Sequence, residues 1–130
     1  MQYSVSVNNG RLDAIEAVTG ASPKLRFLSG ALPANCAAAE TGTLLAEQNL
    51  PADWMAAAAA GVKSKLGTWS GTGVAAGVIG YFRITNTAGT VAHIQGTCGI
   101  GSGDMQLDNT NIAIGQVVSV STFQVTAGNA

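Results

Sequence analysis

A β-hairpin is the feature that the sequence predicts most strongly, and it restricts the chain to folds that contain a sheet. It lies within residues 80–96, GYFRITNTAGTVAHIQG. Two runs rich in aromatic and β-branched residues, 81–85 and 90–95, flank a short segment that ends at Gly89, which is typical of a hairpin. A two-stranded ribbon is only marginally stable by itself in water, so it needs a further layer to pack against.

The turn decides which side chains share a face of the hairpin. A three-residue loop of residues 87–89, with Gly89 in the left-handed conformation that glycine adopts readily, sets one register. The predicted cross-strand pairs are Ile84 with Ala92 and Phe82 with Ile94. These pairs form an apolar face, and the opposite, polar face carries Tyr81, Arg83, His93 and Gln95. A two-residue loop would shift the register by one and set polar side chains opposite apolar ones, so the three-residue loop is favoured.

Most of the remaining chain also has the pattern of short strands. Runs of alternating or β-branched residues are separated by turns that contain glycine, proline or asparagine. The predicted strands outside the hairpin cover residues 24–29, 43–50, 62–69, 105–107, 111–114 and 116–126. This pattern indicates an all-β sandwich or barrel, and we predict a jelly-roll-like β-sandwich that forms a single domain over residues 1–130.

One short helix is predicted near the amino terminus, over residues 9–19. Leu12, Ile15 and either Val18 or Thr19 recur there at helical spacing. About three turns are too few for a stable isolated helix, so this one must dock on the rest of the chain. Residues 1–8 are predicted to form an extended arm, which could add a strand to the sheet edge of a neighbour.

The alanine-rich run of residues 53–61 is the most ambiguous segment. Alanine favours helix, and Asp53 could cap the first turn. The run has no amphipathic stripe and lies between two strand-like stretches. We predict one or two helical turns in it.

Charged residues are unusually scarce. They make up 10% of the chain, whereas about a quarter is typical of soluble domains. Such a surface favours coverage by other protein. The six basic residues are scattered and the net charge is −1, which argues against nucleic-acid binding. The longest apolar run is too short to cross a bilayer, and the amino terminus lacks the regions of a secretion signal, so we expect a soluble chain that is not exported and has no membrane partner.

No residue pattern predicts catalysis, a cofactor or a metal site. His93 is the only histidine and has no carboxylate nearby in the sequence to orient it, which favours a surface or interface role. A loose calcium ligand set is suggested by Asp104, Asp108, Asn109 and Asn111, but their spacing does not fit an EF-hand loop, and turns are ordinarily rich in Asp and Asn. Cys36 and Cys98 lack metal-type spacing, and two reduced thiols are favoured over a disulfide, which stays open.

The two tryptophans allow three interpretations. Trp54 and Trp69 could pack in the core, anchor a protein interface, or stack on sugars as in a carbohydrate-binding module. The candidate interface residues on this basis, and from the hairpin and the arm, are Tyr3, Val5, Trp54, Trp69, Tyr81, Arg83 and His93.

Several stretches resemble a family of small proteins encoded among the virion genes of tailed bacteriophages. The stretches that carry the resemblance are residues 11–16, 20–26, 29–34, 42–46, 82–84 and 117–126. The resemblance extends over nearly the whole chain and includes no catalytic motif.

The resemblance implies a structural part of the virion. In such virions, small β-sandwich proteins commonly serve as capsid decoration or cement proteins that clamp major capsid subunits. The expected partners are the major capsid protein and further copies of the chain in a homo-oligomer. The expected location is the capsid surface, after synthesis in the cytoplasm of the bacterial host. The alternatives are a tail or baseplate component and a carbohydrate-binding module.

Overall fold

The computed structural model describes residues 1–127, which form one α-helix and ten β-strands. The elements in chain order are α1 Val5–Thr19, β1 Lys24–Leu28, β2 Leu44–Asn49, β3 Val62–Ser64, β4 Ser70–Gly73, β5 Gly77–Val78, β6 Tyr81–Thr85, β7 Ala92–Gly99, β8 Met105–Leu107, β9 Asn111–Ile112 and β10 Val117–Thr126. The predicted all-β class with one short amino-terminal helix is confirmed.

Seven strands close into a barrel-like sheet. Their order is β10-β4-β2-β1-β6-β7-β8, and β8 pairs back with β10 to complete the ring. Closure is possible because β10 is ten residues long, so its first part pairs with β4, its middle with β8 and its end with β3. The pairing of β7 with β8 is parallel. The predicted jelly-roll-like sandwich is not confirmed by this strand order, since a ring replaces two stacked sheets.

The hairpin forms with a register that differs from the prediction. Ile84 pairs with Ile94, and Phe82 pairs with Gly96, which is a displacement of two residues. Side chains alternate between the faces of a strand with a period of two, so this displacement leaves Phe82, Ile84 and Ile94 on their predicted apolar face.

The hairpin loop is longer than the predicted three residues because Asn86 organises it. The Asn86 side-chain oxygen accepts hydrogen bonds from the N–H groups of Thr90 at 2.8 Å and Val91 at 3.3 Å. Gly89 has a φ of +76°, in the left-handed region as predicted. A side chain that caps the turn therefore adds residues to the loop without changing the role of its glycine.

The helix α1 begins earlier than the sequence pattern predicts. Ser4 is its N-cap, and the Ser4 hydroxyl accepts a hydrogen bond from the N–H of Val7 at 3.2 Å. The extended arm predicted for residues 1–8 is therefore wrong over residues 5–8, which form the first turn of the helix. The alternation of Val5 and Val7 with serines is typical of a strand, and the sequence interpretation did not consider Ser4 as a helix cap.

Residues 53–61 do not form the predicted helical turns. The chain is irregular there, with single bridges between Met55 and Lys65 and between Ala59 and Val62. Alanine propensity is a weak preference that tertiary contacts override. Here the contacts come from α1, since the side chains of Asp13 and Asn9 accept the N–H groups of Ala58 and Gly61.

The core is crossed by a continuous chain of aromatic rings. The ring centroids of Trp54 and Trp69 are 6.0 Å apart, and those of Trp69 and Phe123 are 5.6 Å apart. Phe82 meets Phe123 edge to face at 5.6 Å. These spacings lie within the range that favours aromatic pairs. The four aromatic side chains therefore link β6 and β10 to the segments that precede β3 and β4.

A bulge in β10 directs three apolar side chains to the core. Strict alternation predicts that Phe123 faces away from Val118 and Val120. All three are buried, because the register of β10 against β8 shifts between Val120 and Thr122 and inserts one extra residue. Strict alternation therefore fails in this strand, and the reason is a bulge that the sequence pattern does not reveal.

Candidate functional site

Four of the predicted interface residues are inside the molecule. The side chains of Trp54, Trp69, Tyr81 and Arg83 are at most 4% exposed. They are therefore unavailable to a partner in this structure, and their assignment as interface anchors is corrected. Core packing is the right interpretation for both tryptophans, whose indole N–H groups donate to the Gly20 and Leu66 carbonyl oxygens. Tyr3 and Val5 are exposed.

A row of polar side chains crosses four adjacent strands on the outside of the sheet. Arg26 of β1 lies opposite Glu47 of β2 on one side and opposite Arg83 of β6 on the other. Arg83 in turn lies opposite Gln95 of β7. We call these four residues the arginine row. Sequence alternation places each of them away from the core, but only the strand order brings them together.

The loop of residues 29–43 folds over the arginine row. Tyr81 anchors this loop, because its hydroxyl donates to the Thr41 carbonyl at 2.8 Å and accepts from the Thr41 N–H at 3.0 Å. The sequence offers no period in this segment, so its position above the sheet could not be predicted. The loop explains why Tyr81 and Arg83 are buried although they point away from the core.

Arg26 is neutralised by two carboxylates. Its guanidinium donates to Glu40 from the covering loop at 2.8 and 3.0 Å and also forms an ion pair with Glu47. Glu47 additionally lies 3.3 Å from the Lys24 ammonium. Burial lowers the pKa of Arg26, but the hydrogen bonds and charges of Glu40 and Glu47 outweigh burial and raise this pKa above its ordinary value.

Arg83 is held without any carboxylate. Its Nε donates to the Gln95 side-chain oxygen at 3.1 Å, and its Nη2 donates to the carbonyl oxygens of Asn35 at 3.2 Å and Ala38 at 2.7 Å. Within residues 1–127, Arg83 takes part in none of the ion pairs. A guanidinium that is 4% exposed is thus surrounded by neutral acceptors, an arrangement that ordinarily costs free energy.

A polar cavity of about 260 Å³ lies between the covering loop and the strands. Arg26 and Arg83 both line it. Its other walls come from the covering loop, the hairpin loop and β7, and they include Cys36, Glu40, Thr90 and Ala92. This cavity brings both arginines of the arginine row to one polar site.

His93 lies in a different place from the arginine row. An open, largely apolar groove of about 300 Å³ separates α1 from β7, and His93 lines it together with Ile15, Val18 and Ile94. The ladder between β6 and β7 shifts at this point, where Ile84 pairs with Ile94 and Thr85 with Ala92. His93 is therefore the extra residue of a bulge, and its predicted place beside Arg83 is wrong.

The acidic and amide side chains near β8 and β9 stabilise turns. Asp104 accepts from the Thr97 N–H at 2.9 Å, Asp108 accepts from the Ser119 N–H at 3.0 Å, and Asn109 accepts from the Asn111 N–H at 3.0 Å. Among residues 1–127, no three His, Cys, Asp or Glu side chains are grouped as metal ligands would be.

Both cysteines are free thiols. Burial, with a smaller contribution from the charge of Asp104, raises the pKa of Cys98 to about 12. Cys98 therefore stays protonated near neutral pH and is a poor nucleophile or metal ligand.

An exposed apolar patch lies where β4 meets the start of β10. Gly73 exchanges backbone hydrogen bonds of 2.8 Å with Gly115 and Gln116, which brings Val74 next to Ile114 and Val117. All three side chains are more than half exposed. We call these three residues the Val74 patch.

Comparison of the chain with family models, with curated proteins and with solved structures returns no match. None of the helices within residues 1–127 has the length and apolar character needed to cross a bilayer.

Proposed function

We propose that this chain is a structural protein of a tailed-bacteriophage virion, and specifically a capsid decoration protein that binds major capsid subunits. The resemblance of the sequence to small virion proteins supports the proposal. The observation that carries it is a surface on which large apolar side chains are exposed and few charges are free.

The exposed apolar side chains are spread over several parts of the surface. They include Tyr3, Val5, Val7 and Val18 on and before α1, Leu32 in the covering loop, Leu66, Val91 and Ile100 in other loops, Val78 in β5, and the Val74 patch. Exposed apolar side chains that lie near one another, as in the Val74 patch, favour contact with a partner. A subunit that binds several neighbours at once needs more than one such area.

The few charges of the chain are largely used inside it. Seven of the thirteen charged side chains form ion pairs with one another, and Arg83 is buried. Little free charge is left to keep copies apart in solution. A rigid closed sheet provides the same kind of scaffold as the jelly-roll-like sandwich expected for such a protein.

A map at residue resolution of purified particles of the phage that encodes the chain tests the proposal directly. We expect density for this chain on the outside of the head, in contact with major capsid subunits. Density in the tail or baseplate would instead support the second structural role. Absence of the chain from the particle would overturn both.

A binding assay with particles assembled without the chain tests the surface argument. We expect Ile114→Lys to weaken decoration, because it places a charge in the Val74 patch. Thr122→Lys, which adds the same charge at an exposed site on β10, is the matched control and should bind as the unmodified chain does. Equal binding by both variants would mean that the Val74 patch is not a contact.

The structure does not support the carbohydrate-binding alternative, which rested on Trp54 and Trp69 as surfaces for stacking on sugars. It requires an exposed aromatic platform, and both tryptophans are buried in the core.

A further inference from the structure

We propose that the cavity beside Arg83 is a binding site for a small oxyanion such as a carboxylate or a phosphate. This inference concerns a ligand site and is independent of the proposed virion role. It is supported by the hydrogen bonds of the guanidinium, by the local balance of charge and by the cavity itself.

The hydrogen bonds of Arg83 leave one end of its guanidinium open. Five N–H groups are available on an arginine side chain. Gln95, Asn35 and Ala38 accept from three of them, at Nε and Nη2. Within residues 1–127, no acceptor is hydrogen-bonded to the two N–H groups of Nη1, and Nη1 is not one of the fully enclosed side-chain atoms that lack a partner. Because Arg83 lines the cavity, a ligand oxygen there could accept from Nη1.

The charges around the cavity leave an excess of one positive charge. Arg26 and Arg83 lie directly opposite each other on β1 and β6, an arrangement of like charges that is unfavourable. The two carboxylates of this region, Glu40 and Glu47, are both engaged by Arg26, and Glu47 also pairs with Lys24. Lys24, Arg26 and Arg83 therefore share two carboxylates. A monoanion bound at Arg83, which forms no ion pair within residues 1–127, would balance the third positive charge.

The size and lining of the cavity suit a small polar ligand. Its volume of about 260 Å³ is several times the roughly 30 Å³ that a water molecule occupies in the liquid. It has room for an ion the size of acetate or phosphate together with a few waters. The covering loop forms the wall opposite the strands, and Arg83 is only 4% exposed beneath it, which strengthens an ionic contact with its guanidinium.

Ala92 offers a way to supply the missing charge from within the chain. It lines the cavity and lies opposite Thr85 in the β6–β7 ladder. Thr85 is two residues from Arg83 on the same strand, so Ala92 and Arg83 are diagonal neighbours on one face of the sheet. Ala92→Glu should place a carboxylate beside the guanidinium, and Ala92→Gln is a neutral control of nearly the same shape.

The test is an NMR titration of the side-chain Nε–H resonance of Arg83 with acetate and, separately, with phosphate, at constant ionic strength balanced by chloride. We expect a saturable shift confined to Arg83 and the adjoining amides of residues 36–39. Ala92→Glu should weaken binding about tenfold or more, which corresponds to a loss of about 1.4 kcal/mol. Ala92→Gln should bind as the unmodified chain does.

Two results would overturn the proposal. One is a linear, non-saturating response of Arg83 to both anions in the unmodified chain, which would indicate screening by salt only. The other is unchanged anion binding by a folded Ala92→Glu variant. The titration of the unmodified chain decides the first point even if a variant fails to fold.

Discussion

Gly80 and Gly10 differ in whether the structure has room for a side chain. A Cβ at Gly80 would lie 2.0 Å from the Gly30 carbonyl oxygen, whereas a Cβ at Gly10, in the middle of α1, would meet nothing within 4 Å. The first glycine is required by a close approach of two backbone segments. The second only adds flexibility to a helix.

The two positions therefore predict changes of opposite sign on substitution by alanine. Gly80→Ala should lower the free energy of unfolding by about 2 kcal/mol or more, because neighbouring backbone must move. Gly10→Ala should raise it by about 0.5 to 1 kcal/mol through helix propensity. Chemical denaturation followed by tryptophan fluorescence measures both. A neutral Gly80→Ala would show that the approach of these two segments is not needed for folding.

The two thiols should differ in reactivity. Since burial raises the pKa of Cys98 to about 12, only a very small fraction of this group is thiolate at pH 8. Both cysteines are partly exposed, and Cys36 lines the polar cavity. We expect a thiol-specific alkylating reagent to modify Cys36 in the folded chain well before Cys98, as read by peptide mass spectrometry. Equal rates under native conditions would contradict the raised pKa of Cys98.

Among the elements, the helix is held to the body of the molecule by a polar stripe. Asn9, Asp13 and Glu16 recur along α1 at spacings of four and three, and their side-chain oxygens accept backbone N–H groups of the segment before β3. The three pairs are Asn9 with Gly61 at 2.9 Å, Asp13 with Ala58 at 2.9 Å and Glu16 with Met55 at 3.3 Å. These bonds satisfy donors that the alanine-rich segment would otherwise have used to form helix.

A buried lysine adds charge to this contact. Lys63 of β3 is 1% exposed, and its ammonium lies 2.7 Å from carboxylate oxygens of both Asp13 and Glu16 and 2.9 Å from the Ala56 carbonyl. Burial lowers the pKa of Lys63, but the hydrogen bonds and charges of the two carboxylates raise this pKa by more than burial lowers it, so the net shift is upward. The same lysine, together with the Ala58 N–H, holds the pKa of Asp13 below its ordinary value.

Helix docking should consequently weaken in acid. The folded-state pKa of Asp13 is lowered, so its stabilising contribution is complete above the ordinary value of 3.8 and is lost as the pH falls through the lower folded value. The contribution of Lys63 is complete below 10.5 and constant over this range. Hydrogen exchange of the Ala58 amide, corrected for its intrinsic pH dependence, should lose protection below about pH 4. Asp13→Asn should abolish this pH dependence, and its persistence in that variant would assign it to another group.

The existence of α1 could be predicted from the sequence, but its docking face could not. Leu12 is buried as its spacing predicts, and of the two alternatives for the last turn Thr19 is buried whereas Val18 is 70% exposed. Apolar periodicity cannot reveal a helix that docks partly through carboxylate and amide oxygens, because those side chains are ordinarily solvated. In the same way, alternation placed Arg83 on the outer face correctly but gave no sign that residues 29–43 would cover it.

At the level of the whole molecule, closure of the sheet depends on the bulge in β10. The ladder with β8 shifts by one residue between Val120 and Thr122, so Ser121 is the unpaired residue and is exposed. Deleting Ser121 would make this ladder regular and leave Val120 and Phe123 facing the core. Deleting Ser119 would instead turn Val118 or Val120 outward, because alternation would be broken.

These two deletions test ring closure. We expect the chain without Ser121 to retain a cooperative thermal transition and the chain without Ser119 to lose it, as measured by circular dichroism and tryptophan fluorescence. Loss of cooperativity in both would mean that the bulge itself, with its local twist, is required.

Most strands could be predicted from the sequence, but their closure into a ring could not. The positions of β1, β2 and the hairpin follow from alternation and from glycine and proline turns. Ring closure requires β10 to exchange partners along its length and β7 to run parallel to β8. Both depend on residues far apart in the sequence, and a bulge reverses the alternation on which a prediction relies.

The ring has a consequence for crowded conditions. Each of its seven strands has a hydrogen-bonded neighbour on either side over at least part of its length, so none of these seven strands is an edge strand along its whole length. Sheet proteins with so few charges would ordinarily be prone to grow into fibrils by edge-to-edge stacking. Closure shortens the strand edges available for such stacking, which favours contact between crowded copies of this chain through their side chains.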